Sequence, residues 1–229
     1  MVTVRQRKAI SEGDIALRDT LYPDAKKRLW DRMAAQGFVT VPKTMPFICR
    51  ILDEMSKNFP LADTYRVLWT YTWNNNAFVK LGNLSEIAYA AGFQGQRGER
   101  TLRDRLTRLA ELGFLELKPY GSSQLGFAFI PNPHEVLLTH YARWQDASAA
   151  ERAKLPQIRE ESINAFLARA VEVKAVDVRE IQERILAERE ARNNPAPAPE
   201  ASEPPATLKT KSTKVKIKPA PRSRVRPRT

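Results

Sequence analysis

The chain has 229 residues, 38 Lys+Arg against 26 Asp+Glu, one cysteine and 42% hydrophobic residues, for a formal net charge of +12. A single cysteine excludes an internal disulfide and a cysteine-rich zinc site, and no apolar run approaches the roughly 20 residues of a membrane-spanning helix. The N-terminus, with Arg5, Arg7 and Lys8 followed by mixed polar sequence, lacks the apolar core of a signal peptide, so the expectation is a cytoplasmic chain with a polyanionic partner and no membrane association.

In chain order, residues 24–36 form the first amphipathic stretch, with Leu29, Trp30 and Met33 at helical spacing between Pro23 and Gly37. A second helix is expected over 45–58, where Phe47, Ile48, Ile51, Leu52 and Met55 recur at three and four. Thr44 is its N-cap, and Pro46 is tolerated because it lies in the first turn. A third, over 63–73, carries Tyr65, Leu68, Trp69 and Thr72 on one side and reads as largely buried.

Residues 77–131 are the most informative. A short strand at 77–81 precedes Asn83-Leu84-Ser85-Glu86, a capping-box sequence that opens a helix burying Leu84, Ile87, Ala88 and Ala91 and ending at Gly92. A polar turn, Gln94 to Gly98, leads into a helix over 99–112 whose apolar stripe is Leu102, Leu106 and Leu109. Arg100, Arg103, Asp104, Thr107 and Arg108 lie across from it. Gly113 stops that helix, and strands at 114–120 and 125–130 joined by Gly121-Ser122-Ser123 make a hairpin.

Beyond the hairpin, Asn132-Pro133-His134-Glu135 caps a helix carrying Leu137, Leu138, Tyr141 and Trp144. Ser148-Ala149-Ala150-Glu151 and Asp177-Val178-Arg179-Glu180 repeat the capping-box form, for helices reaching 154 and about 192. Between them, 157–173 places Ile163, Phe166, Leu167, Ala170 and Val171 on one stripe. The charged last helices, with narrow seams at Ile181, Ile185 and Leu186, suit either a homodimer contact or folding back on their own chain. Residues 193–229 hold nine cations (Lys209, Lys211, Lys214, Lys216, Lys218, Arg222, Arg224, Arg226, Arg228) against Glu200 and Glu203, eight of the sixteen prolines and no aromatic residue. Such a segment cannot offset its ordering entropy by burial, so it is expected to be a disordered basic tail that follows phosphates without reading sequence.

The succession helix, short strand, helix, turn, helix, hairpin, together with Glu99-Arg100-Thr101-Leu102 opening a helix that ends Leu109-Ala110-Glu111-Leu112-Gly113-Phe114-Leu115, resembles the bacterial winged helix-turn-helix DNA-binding proteins. The likeness covers about 70 residues, 63–131. It implies a mainly α fold with a small β-hairpin wing: a winged helix-turn-helix domain at 60–132, flanked by helical segments at 1–59 and 133–192 and by the tail at 193–229. It further implies a sequence-specific reader of double-stranded DNA, foremost a transcriptional regulator. In that reading Arg100, Arg103, Asp104 and Thr107 contact bases in the major groove, each Arg able to read a guanine through a bidentate fork. Lys80, Arg97, Thr101, Arg105 and Arg108 contact phosphates, and Ser122, Ser123 and Gln124 form a modest wing contact. The plain alternative for the cations is a solvated helix face paired as Glu99–Arg103 and Asp104–Arg108.

Two other binding roles fit. One is a replication or partition protein of a plasmid or mobile element, acting on origin repeats. The other is an RNA-binding protein or chaperone, which Tyr65, Trp69, Tyr71, Trp73, Tyr141 and Trp144 argue against because they recur at core spacing. No catalytic constellation, cofactor or metal site is indicated: His134 and His140 stand on opposite sides of one helix, and Cys49 lies in an apolar stretch that suits a small buried thiol. The expectation is therefore a protein that is not an enzyme.

Overall fold

The computed structural model describes residues 4–31, 37–72 and 76–194. The first half runs α1 (Val4–Leu21), α2 (Ala25–Arg28), α3 (Met45–Ser56), α4 (Ala62–Thr70), β1 (Phe78–Lys80), α5 (Leu84–Ala90) and α6 (Gly98–Glu111). The second runs β2 (Glu116–Tyr120), β3 (Ser123–Phe129), α7 (Pro133–Asp146), α8 (Ala149–Arg152), α9 (Glu160–Val173) and α10 (Val176–Asn193). The architecture is mainly helical with one three-stranded antiparallel sheet of order β1-β3-β2. Among the described residues no helix is long and apolar enough to cross a membrane. The tail cations Lys209 to Arg228, and Trp73 and Met33, lie outside the described residues.

One hydrophobic core joins α3, α4, α5, α6, the inner face of the sheet, α7, α9 and α10. Its largest fully enclosed side chains include Tyr65, Phe114 and Phe166, and Tyr65 meets Trp69 and Phe114 edge-on at 6.3 and 5.6 Å between ring centroids. The N-terminal helices stand apart from this pattern. Among the described residues the helix expected over 24–36 runs only to Arg28, where Leu29 turns to an extended backbone, and Leu29 and Trp30 are 53% and 62% exposed. The long helix α1, which the apolar pattern did not signal, likewise leaves Ile15, Leu17 and Leu21 exposed, so its second half draws little stability from burial.

Side chains cap three of the expected helix starts, whereas Thr44 does not cap α3 but turns its hydroxyl to His134. Asn132 Oδ1 accepts from His134 N at 2.9 Å, and Ser148 with Glu151 forms a complete capping box. Asn83 Oδ1 accepts from Glu86 N, but Glu86 spends its carboxylate on Asn83 Nδ2 and the Tyr71 hydroxyl instead of the N-cap amide, tying α5 to the end of α4. The expected box at Asp177 does not form. Helix α10 already begins at Val176, and the Asp177 side chain reaches out to His134 and Asn132.

Two helices are capped from a distance instead. Asp53 Oδ1 accepts from Leu61 N (2.6 Å) and Ala62 N (2.9 Å) at the start of α4. Glu54 accepts from Ser162 Oγ (2.6 Å) and Arg159 N (3.3 Å) at the start of α9. Adjacent acids on α3 thus satisfy the free amides of two neighbouring helices and fix their approach. Helix α10 folds back along α7, burying Val178 and Ile181, with Arg184–Glu135 (2.7 Å) and Arg189–Asp146 (3.0 Å) along the seam. Val171 and Leu186, expected on apolar stripes, are 79% and 55% exposed.

In the sheet, β3 is central. Val79, Ala128 and Leu117 pair across it on the inner face, and Val79 and Ala128 are fully buried. The outer face carries two rows, Lys80–Phe127–Lys118 and Phe78–Phe129–Glu116. The β2–β3 register slips between Lys118 and Tyr120, so that Tyr120 pairs with Ser123 across a two-residue turn. At this bulge Gly126 lies so close that a Cβ would sit 2.6 Å from Tyr120 N, which only glycine allows. Its carbonyl accepts from Leu81 N at 2.9 Å.

Candidate nucleic-acid interface

Helix α6 is oriented by its leucines. Leu102, Leu106 and Leu109 are fully buried, each contributing about 1.5–3 kcal/mol by leaving water, and their stripe dictates which residues face out. Gly98 lets α6 start hard against the turn that follows α5: a Cβ there would lie 2.6 Å from the Phe93 carbonyl oxygen. A hydrogen bond from Ser85 to Glu99 adds a second tie between the two helices.

Opposite the leucines, Arg100, Arg103, Asp104 and Thr107 form one exposed row at spacings of three, one and three. Arg100 has no ion-pair partner among the described residues. Arg103 Nη2 stands 3.8 Å from Glu99 Oε2, both side chains nearly half exposed, a pair worth at most about 0.5 kcal/mol and readily given up to a ligand. Thr107 donates its hydroxyl hydrogen to the Arg103 carbonyl at 3.0 Å, leaving only lone pairs to offer outward.

The five residues expected at phosphates divide. Lys80 and Arg97 are exposed, and Thr101 is half-buried on the flank of α6. Arg108 pairs with Glu111 at 2.7 Å rather than with Asp104. Arg105 is placed differently from the other four. Its guanidinium carbon lies 3.5 Å from the centroid of the Phe59 ring and 5.9 Å from that of Phe93, and Nε and Nη1 are buried without a hydrogen-bond partner in the protein. Burial pulls its pKa below the ordinary arginine value, against the opposing pull of Asp53 and Asp104. The reason is angular: at 100° per residue Arg105 stands only about 60° from Leu102 and so faces the core margin. It clamps α6 to the α3–α4 corner. At the hairpin, Ser122 and Gln124 are exposed, while Ser123 turns its hydroxyl to the Leu125 carbonyl at 3.1 Å.

The far end of α6 is held by His140. Its Nε2 lies 2.8 Å from the carbonyl of Leu112, and since a carbonyl only accepts, Nε2 carries the proton and donates. Burial, aided by Arg143 and opposed by the Leu112 carbonyl, pushes the His140 pKa below its ordinary value. The unfolded chain therefore takes up the proton first as pH falls through about 6.5. Stability present above that value is lost below it. The expected result is a falling midpoint of urea unfolding between pH 7.5 and 5.5, with a shallower fall in His140→Gln, which keeps the donor but cannot titrate; an unaltered slope would contradict this assignment.

Elsewhere the chemistry is quiet. Cys49 is enclosed, and burial pushes its thiol up to about 11, so it is not a thiolate at neutral pH. Among the described residues no group of three His, Cys, Asp or Glu side chains is placed to hold a metal. Thr44, His134 and Asp177 do line up as hydroxyl, imidazole and carboxylate, with Thr44 Oγ1–His134 Nε2 at 2.6 Å and His134 Nδ1–Asp177 Oδ2 at 2.7 Å. Thr44 is 1% exposed, so its hydroxyl has no route to a substrate and the arrangement is a structural pin.

No family model, curated protein or solved structure matches this chain. The exposed row of α6 and its supports therefore carry the functional reading. Sequence reasoning passed over two features of this region, the Arg105 clamp and the rings on the outer face of the sheet. The alternation in Phe127-Ala128-Phe129 was the available signal for the second.

Proposed function

We propose that this chain is a winged-helix protein that binds double-stranded DNA, inserting α6 into the major groove, and that it serves as a transcriptional regulator. The observation that carries this reading is the row Arg100, Arg103, Asp104 and Thr107, exposed along one side of a helix whose other side is locked by buried leucines. A groove wide enough for one helix displays a distinct donor and acceptor pattern for each base pair, and a rigidly held arginine fork reads guanine there. The succession α5, turn, α6, hairpin supports the same reading, since it supplies a supporting helix and a wing on either side of the reader. Lys80 and Arg97 take phosphates, and residues 193–229 add affinity that does not depend on sequence.

The test is selection of genomic fragments by the purified protein at physiological salt, with and without the tail. A shared motif recovered by both forms, at uniformly lower yield without the tail, is the expected result. Selection of promoter fragments supports regulation, and direct repeats at a replication origin would replace that role with initiation or partition. Recovery of random fragments alone would sink the duplex-reading proposal.

A further inference from the structure

The outer face of the sheet gathers four aromatic rings. Phe78 and Phe127 stack at 5.4 Å between centroids with planes 29° apart, and Tyr120 meets Phe127 edge-on at 5.2 Å. Phe129 lies between Phe78 and Glu116 in the adjoining row. Phe78, Phe129 and Tyr120 are 37%, 43% and 70% exposed, although the inner face of the same strands is sealed. Large rings left in water on a rigid surface form a patch that burial alone does not explain.

The charges around the rings indicate what covers them. Lys80 and Lys118 flank Phe127 directly across the strands, both outside the buried core and neither with an ion-pair partner among the described residues. Glu116 is the one acid in these rows. A second copy of the chain docked face to face would set lysines toward lysines in a molecule already at +12. A polyanion with flat apolar groups suits both the rings and the cations.

We propose that this face stacks the unpaired bases of a single-stranded nucleic acid on Phe78, Phe127, Phe129 and Tyr120, with Lys80 and Lys118 taking the flanking phosphates. Sheets use exposed rings in this way because every base has a π-face, and strand separation of about 4.8 Å with a rise of about 3.3 Å per residue spaces the rings for neighbouring bases. The surface contains no residue of α6 and shares Lys80 alone with the duplex reading, so substitutions at Tyr120 and at Arg100 test the two proposals separately.

The test measures binding of the full chain to labelled oligomers of about 12 nucleotides, within the range such surfaces cover, as single-stranded DNA, as RNA of matched sequence, and as an abasic strand of equal charge. The base-bearing strand is expected to bind at least about tenfold more tightly than the abasic one, since stacking is worth about 5- to 150-fold per base. Tyr120→Ala and Phe129→Ala, both at exposed positions, should each remove about fivefold or more of that affinity and leave abasic binding unchanged, with Tyr120→Phe restoring it. Whichever of DNA or RNA binds more tightly identifies the strand. Arg100→Ala should not alter these ratios, which separates this result from failure of the duplex reading. Equal binding of abasic and base-bearing strands would overturn the proposal. So would self-association in sedimentation that Tyr120→Ala abolishes, which would assign the face to a second copy.

Discussion

Replacing Arg100 and Arg103 together by alanine is expected to erase the preference for a selected duplex over random DNA while leaving the fold intact. On the proposed duplex reading each bidentate arginine supplies about 1–3 kcal/mol of discrimination, so the pair accounts for a loss of about 30- to 20,000-fold in specificity ratio. Both side chains are exposed, and among the described residues the double substitution breaks only the loose Arg103–Glu99 ion pair. Unfolding midpoints should therefore barely move. Arg97→Ala provides the contrast, because a phosphate contact carries no sequence information: it should weaken target and random DNA alike and reduce the slope of log affinity against log salt by about one. Competition titrations of the two variants against both DNAs make the comparison. A double variant that keeps its specificity ratio would remove α6 as the reading element.

The parts of this fold legible in the sequence are those whose signals are local. Leu102, Leu106 and Leu109 repeat on one side of a helix that Gly113 terminates, and the alternation around Val79 and Ala128 marks strands, so α6, the short strand and the hairpin were all accessible. Asn132 and Ser148 cap within three residues of themselves, and they too could be read. What escaped depends on partners distant in the chain. The caps of α4 and α9 come from Asp53 and Glu54, and in the latter case the acid lies 105 residues from the amide it satisfies. Asp177 has the sequence form of a cap, yet the packing of α10 on α7 offers it a histidine, and the tertiary bond prevails over the local one. Arg105 illustrates a different limit: its charge suggested a phosphate contact, whereas its angle beside the leucine stripe, and Phe59 waiting there, decide its place. Of the helix expected over 24–36 the described residues form only Ala25–Arg28, and no described residue buries Leu29 and Trp30. The aromatic face of the sheet was hidden because its rings come from three strands and become neighbours only once the register is known.

His134→Ala is expected to destabilise the protein by about 2–4 kcal/mol, a large loss for a single polar side chain. The imidazole joins the starts of three helices: its Nε2 hydrogen-bonds the Thr44 hydroxyl before α3, it sits in the first turn of α7, and its Nδ1–H is given to Asp177 in the first turn of α10. Its ring also packs 5.5 Å from that of Phe166 on α9. Truncation leaves the Thr44 hydroxyl, 1% exposed, without its partner and opens a void beside Phe166, so a desolvation penalty adds to weakened packing. The partner acid gives the pin a pH signature. Burial, the largest single influence on Asp177, opposes its charge. Hydrogen bonds from His134 and Asn132, the His134 charge and the Val178 amide together outweigh it and hold the carboxyl below the usual aspartate range. A depressed carboxyl stabilises the fold above its unfolded value, near 4, and that contribution is lost as pH falls through the folded value. Asp177→Asn should therefore be less stable than the parent at pH 6 and show a smaller further loss on acidification below pH 4. Urea titrations at both pH values, with His134→Ala alongside, read out both effects. A His134→Ala stability within about 0.5 kcal/mol of the parent would mean that the three helix starts are held by the apolar core alone.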